Sequence, residues 1–130
     1  MQYGTTVQTT LGFDEAVART REALAEQGFG VLTEIDVQAT MKKKIDADVE
    51  PQIILGACNP QLAHKALQAE PGIGLLLPCN VVVRREGDRT LVSALDPQMM
   101  VSLPDNADLQ PVADEAAQRL AAALQAVTAT

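Results

Sequence analysis

The chain has 130 residues and a mass of 13.8 kDa, which suits a single domain over residues 1–130 with its own core. A hydrophobic share of 47% and a charged share of 21% exclude a disordered chain. A net charge of −7 and only three aromatic residues, Tyr3, Phe13 and Phe29, argue against nucleic acid, anionic membranes and aromatic-cage ligands.

At the amino terminus, Met1 to Thr6 carries neither a basic nor an apolar region, so no secretory signal is expected. Tyr3 to Thr9 alternates loosely and reads as a first strand. From Phe13, the positions Phe13, Val17, Thr20 and Leu24 recur at helical spacing, and Gly28 marks the stop. Asp14 and Glu15 suit the positive end of that helix. Phe29 to Val37 then reads as a strand, with Phe29, Val31, Thr33 and Ile35 on the buried face. Glu34 and Asp36 fall on the opposite, outward face, where close carboxylates can bind a hard cation or pair with Lys42-Lys43-Lys44. Gln38 to Lys44 fits either a short helix or a loop.

Gln52 to Ala57 reads as a short buried strand, its Ile53-Ile54-Leu55 run bounded by Pro51 and Gly56. Asn59-Pro60 supplies a cap and a first-turn proline, opening a helix to about Ala69. Pro71-Gly72 ends it, and Ile73 to Leu77 is expected to run extended up to Pro78. The apolar run from Ile73 to Val83 is broken by Gly74, Pro78 and Asn80, short of the roughly 20 apolar residues that cross a bilayer. A cytoplasmic location is therefore expected, where a lasting disulfide is rare.

Cys79 to Arg85 and Arg89 to Leu95 form a hairpin about Glu86-Gly87-Asp88, which sets Cys79 opposite Leu95. After a proline-bearing loop from Asp96 to Asp108, a last helix carries Leu109, Ala113, Ala116, Leu120, Leu124 and Val127 on one stripe. The order β-α-β-(α)-β-α-β-β-α predicts an α+β fold: one mostly antiparallel sheet with helices on one face.

Four phrases stand in series: Gly28-Phe29-Gly30-Val31-Leu32-Thr33-Glu34-Ile35-Asp36-Val37, Gly56-Ala57-Cys58-Asn59-Pro60, Leu76-Leu77-Pro78-Cys79-Asn80-Val81 and Asp96-Pro97-Gln98-Met99-Met100. Together they resemble the domain-of-unknown-function family 302, over nearly the whole chain. The resemblance implies a compact α+β domain related to the TATA-binding-protein-like fold, and a homodimer. It implies no activity, and a shared fold does not bring DNA binding with it.

The chemistry centres on two cysteines. Cys58 precedes Asn59-Pro60 and so lies at a helix mouth, where free N–H groups and the dipole favour a thiolate. A helix from Pro60 to Ala69 travels roughly 15 Å out. An extended return to Cys79 covers roughly 20 Å, so the chain can bring the second thiol back to the first. Asp96, Met99 and Met100 leave the hairpin at Cys79's end. Cys58, Cys79, Met99 and Met100 make a soft donor set suited to Cu(I), or less fully to zinc, which wants more Cys or His ligands. Asn59, Asp36, Glu34 and Asp96 are the candidate ligand-binding groups beside it. One reading is therefore a small binding protein for a small molecule or soft metal. Another is a thiol-dependent redox or sulfur-transfer enzyme, with Cys58 as nucleophile and Cys79 as resolving thiol. A structural or assembly domain is the third, since buried cysteines often serve as small hydrophobes and methionines as core filler. His64, the only histidine, falls off the apolar face of its helix and is expected at the surface.

Overall fold

The computed structural model describes residues 3–128; Met1 and Gln2, part of the stretch read for a signal, lie outside the described residues. Five strands form one antiparallel sheet: β1 (Gly4–Thr9), β2 (Gly30–Asp36), β3 (Gln52–Cys58), β4 (Cys79–Glu86) and β5 (Arg89–Leu95), in the order β1-β5-β4-β3-β2. The helices are α1 (Phe13–Glu26), α2 (Val37–Ile45), α3 (Pro60–Ala69), α4 (Met99–Ser102) and α5 (Gln110–Thr128). This is the expected α+β order, with α2 formed as a helix.

Alternation decides which strand residues enter the core. Leu55 and Ala57 of β3, Val81 and Val83 of β4, and Val92 and Ala94 of β5 meet Leu24 of α1 and Leu120, Leu124 and Val127 of α5. A second apolar cluster joins Leu62 and Ala66 of α3 to Ile73, Met100 of α4, Leu109, and Val112 and Ala116 of α5. Alanine on α5 lets the helix lie close, which offsets the shortage of aromatic bulk.

Four expectations need correction. The register of β2 slips between Val31 and Thr33, a bulge at Leu32. One extra residue reverses every later side chain. Thr33 and Ile35 therefore stand beside Gly56 and Ile54 on the open face, while Glu34 and Asp36 align with Leu55 and Ile53 on the helix side. Glu34 accordingly pairs with Arg21 of α1 at 2.7 Å rather than with a lysine. Lys42 pairs instead with Asp46 and Asp48.

The segment before Pro78 is not extended. Residues Pro71–Leu76 form a 3₁₀ helix, whose three-residue period sets Ile73 and Leu76 on one side, against the second cluster. The hairpin turn is also tighter than expected. Glu86 pairs with Arg89, leaving two turn residues, and Gly87 at φ +63° takes the first position, where a II′ turn places glycine. Val81 consequently pairs with Ala94, one residue away from the register that set Cys79 against Leu95. Finally, the loop after β5 contains α4 and a short 3₁₀ turn at Ala107–Leu109.

Candidate functional site

The two cysteines sit on neighbouring strands. Cys58 is the last residue of β3 and Cys79 the first of β4. Ala57 stands directly across from Cys79, so the two thiols are offset by one residue along the ladder. Immediately after Cys58, the Asn59 side-chain oxygen accepts the Leu62 N–H at 3.2 Å, and Pro60 takes the first helical position. The cap is the one the sequence predicts, and it fixes the direction in which α3 leaves the sheet.

Around these residues lies a cavity at the seam of the two apolar clusters. Phe29, Ala57 and Cys79 come from the first; Leu62, Ala66, Met100, Val112 and Ala116 come from the second; Cys58, Asn59, Ala63, Leu77 and Pro78 close the remaining wall. Its free volume is about 20 Å³, on a measure where one water needs roughly 10–15 Å³. An organic ligand of ordinary size does not fit without opening it.

Both cysteines are unbridged; Cys58 is half-buried and Cys79 buried. Burial pushes the Cys79 thiol above its ordinary range, and negative charge on nearby Cys58 acts in the same direction. Cys79 is thus held as the neutral thiol. Met100 is buried, with its backbone N–H on the Pro97 carbonyl at 2.9 Å. Met99, next to it, does not line the cavity.

The expected ligand-binding carboxylates are not gathered here. Cys58 pairs with Gly30 at the start of β2, whereas Asp36 ends that strand, roughly 20 Å along it at about 3.3 Å per residue. Glu34 and Asp36 instead share a hollow with Asp14 and Phe13 on the far edge. The Asp36 carboxylate accepts the Ala39 N–H and caps α2. Asp96 accepts the Gln98 N–H and borders a separate hollow with Pro97 and Leu120. Each of these groups already has a local partner. His64 is exposed, as its helical position predicts.

Among the described residues, no group of three or more His, Cys, Asp or Glu side chains converges on a point. Zinc, which favours four such ligands, is a poor match to this wall. A sulfur set of two thiols and one thioether is what the residues offer. The apolar wall itself was not foreseen, although the Leu62 and Ala66 stripe of α3 and the alanines of α5 were its visible signals.

A family model described as a domain of unknown function, DUF302, matches residues 5–127. The chain belongs to the DUF302 family. A crystal structure of an uncharacterized conserved DUF302 protein from Bacillus stearothermophilus is similar throughout: 32% identity, TM-score 0.91, covering 98% of this chain and 99% of that one. No curated protein matches the sequence. The four phrases that suggest DUF302 all reach the cavity: Phe29 from the first, Ala57, Cys58 and Asn59 from the second, Leu77, Pro78 and Cys79 from the third, and Met100 from the fourth. Among the described residues, no helix is long and apolar enough to cross a membrane.

Proposed function

We propose that this DUF302 protein is a small binding protein, one domain over residues 1–130, that holds a single Cu(I) ion between Cys58, Cys79 and Met100. One observation carries the reading: Cys58, Cys79 and Met100 all contribute to the lining of one apolar cavity with room for about one water. Sulfur donors in a dry, small site select soft monovalent copper over harder ions. Because Cys79 is held neutral by burial, binding displaces its proton to solvent, so affinity rises with pH.

The thiol-enzyme alternative has less support. The two cysteines are unbridged and stand one step out of register across Ala57 and Cys79, whereas a disulfide needs Cβ vectors that converge. A resolving thiol also works best with a pKa near ambient pH, which burial of Cys79 opposes. The proposed setting is a reducing cytoplasm, where free thiols persist, and the proposed assembly is a homodimer.

Competition of the reduced protein with a chromophoric Cu(I) chelator under anaerobic conditions tests the proposal. The expected result is one Cu(I) per chain, abolished by Cys58→Ser or Cys79→Ser and weakened by Met100→Leu. Failure to compete, or equal binding by all three variants, overturns it.

A further inference from the structure

Side chains alternate along β4, so Cys79, Val81 and Val83 enter the core while Asn80, Val82 and Arg84 stand on the open face. Together with Gln52 of β3 and Ser93 and Leu95 of β5, they line a hollow of about 350 Å³. That is the size of a small-molecule site. It lies on the opposite face of the sheet from the sulfur-lined cavity.

The hollow has an apolar middle and polar ends. Val82 stands at its centre, across from Ser93, whose hydroxyl is already tied to that of Thr6 at 2.7 Å. At one end Arg84 faces Gln52 across the ladder. At the other, Asn80 and Leu95 sit one step beyond the Val81–Ala94 pair, with exposed Tyr3 beside them. Asn80 and Arg84 are four residues apart, roughly 13 Å along the strand at about 3.3 Å per residue.

Charge decides what such a hollow attracts. Arg84 is the only charged residue among those that line it. Its Nη1 donates to Glu86 at 2.8 Å, but Glu86 also accepts from Arg89 at 2.9 Å, so one carboxylate serves two guanidiniums. Glu50, near the same turn, accepts the Gly87 N–H instead. Among the described residues, nothing accepts from Nε or Nη2 of Arg84, and the side-chain amides of Gln52 and Asn80 have no partner. In a chain of net charge −7, this half-buried guanidinium is a local point of attraction for an anion.

We propose that the hollow binds a small organic carboxylate with an apolar body, independently of the sulfur site. The carboxylate lies on the free edge of Arg84 and on the Gln52 amide, an arrangement that suits the planar fork of a guanidinium. The body covers Val82 and Leu95, and the Asn80 amide takes a hydrogen-bonding group at the far end. A bare inorganic anion uses Arg84 alone and leaves the apolar floor uncovered, which is why the occupant is organic.

Amide NMR of the isotope-labelled full chain tests this with para-hydroxyphenylacetate and octanoate, each compared with its own primary amide. Additions to about 5 mM detect millimolar Kd values. The expected result is saturable shifts at Val82, Arg84 and Ser93 for at least one acid. Binding falls at least about tenfold for the matching primary amide, and likewise for Arg84→Gln, as loss of a charge-assisted hydrogen bond requires. Unchanged circular dichroism establishes that the variant folds, and the acid–amide comparison needs no variant. Absence of shifts with both acids, equal binding of acid and amide, or shifts centred on Cys58 overturns the proposal. Shifts that follow protein concentration alone also overturn it, because they place a second copy of the chain on this face.

Discussion

Ala57 faces Cys79 across the β3–β4 ladder, and Cys58 lies one step beyond that pair. The small methyl of Ala57 lies beside Cys79 in the wall of the cavity, and the next residue along, Cys58, also belongs to that wall. The cavity therefore follows from the register of two strands together with the break between β3 and α3.

Burial of Cys79 has a consequence for stability against pH. The folded thiol gives up its proton at a higher pH than the same thiol in the unfolded chain. Its contribution is fully present below the unfolded value of about 8.5 and is lost as pH rises through the folded value. Denaturation curves at about pH 7 and about pH 10 will show the wild type losing up to ~1.4 kcal/mol per pH unit from this group alone. Cys79→Ala begins less stable and loses less over the same interval; parallel losses in both proteins refute the assignment.

Gly56 lies beneath the Thr33 side chain and Pro78 on the open side of β3, and a Cβ there meets both. Gly56→Ala is expected to destabilise the fold by about 1–3 kcal/mol through overpacking, read as a lower thermal midpoint. An unchanged midpoint contradicts the close approach.

Asn59→Ala removes the cap on α3 and is expected to cost about 1 kcal/mol, while Asn59→Asp, which retains an acceptor for the Leu62 N–H, costs far less. Thermal melts of the two variants side by side distinguish a cap from a residue that serves only the cavity wall.

Met100 separates packing from sulfur chemistry. Met100→Ala empties part of the second cluster and is expected to cost about 2–5 kcal/mol. Met100→Leu keeps the volume and costs under about 1.5 kcal/mol. Guanidinium titrations of both establish the ranking, which fails if Leu is as damaging as Ala.

Element order and the α3 cap were legible in the sequence because they rest on local patterns: the Phe13 to Leu24 period, the Asn59-Pro60 pair, the β4–β5 hairpin. The bulge at Leu32 was not, since alternation through Glu34 and Asp36 reads equally well with or without one extra residue. Ile73 to Leu77 misled because an apolar run flanked by prolines fits an extended chain as readily as a 3₁₀ turn. The cavity wall draws on five separate stretches of chain, and no spacing rule relates Phe29 to Met100 or Ala116. Cys58 and Cys79 are identifiable as neighbours only by reach, and sequence distance gives no measure of the length of strand that separates Asp36 from them.

The bulge at Leu32 lies on β2, one of the two outer strands. Outer strands offer unpaired backbone groups on which further strands can grow, and a bulge disrupts that template by twisting the strand and breaking its spacing. The bulge therefore works against edge-to-edge extension of the sheet at its β2 side, where Leu32 and Ile35 are exposed.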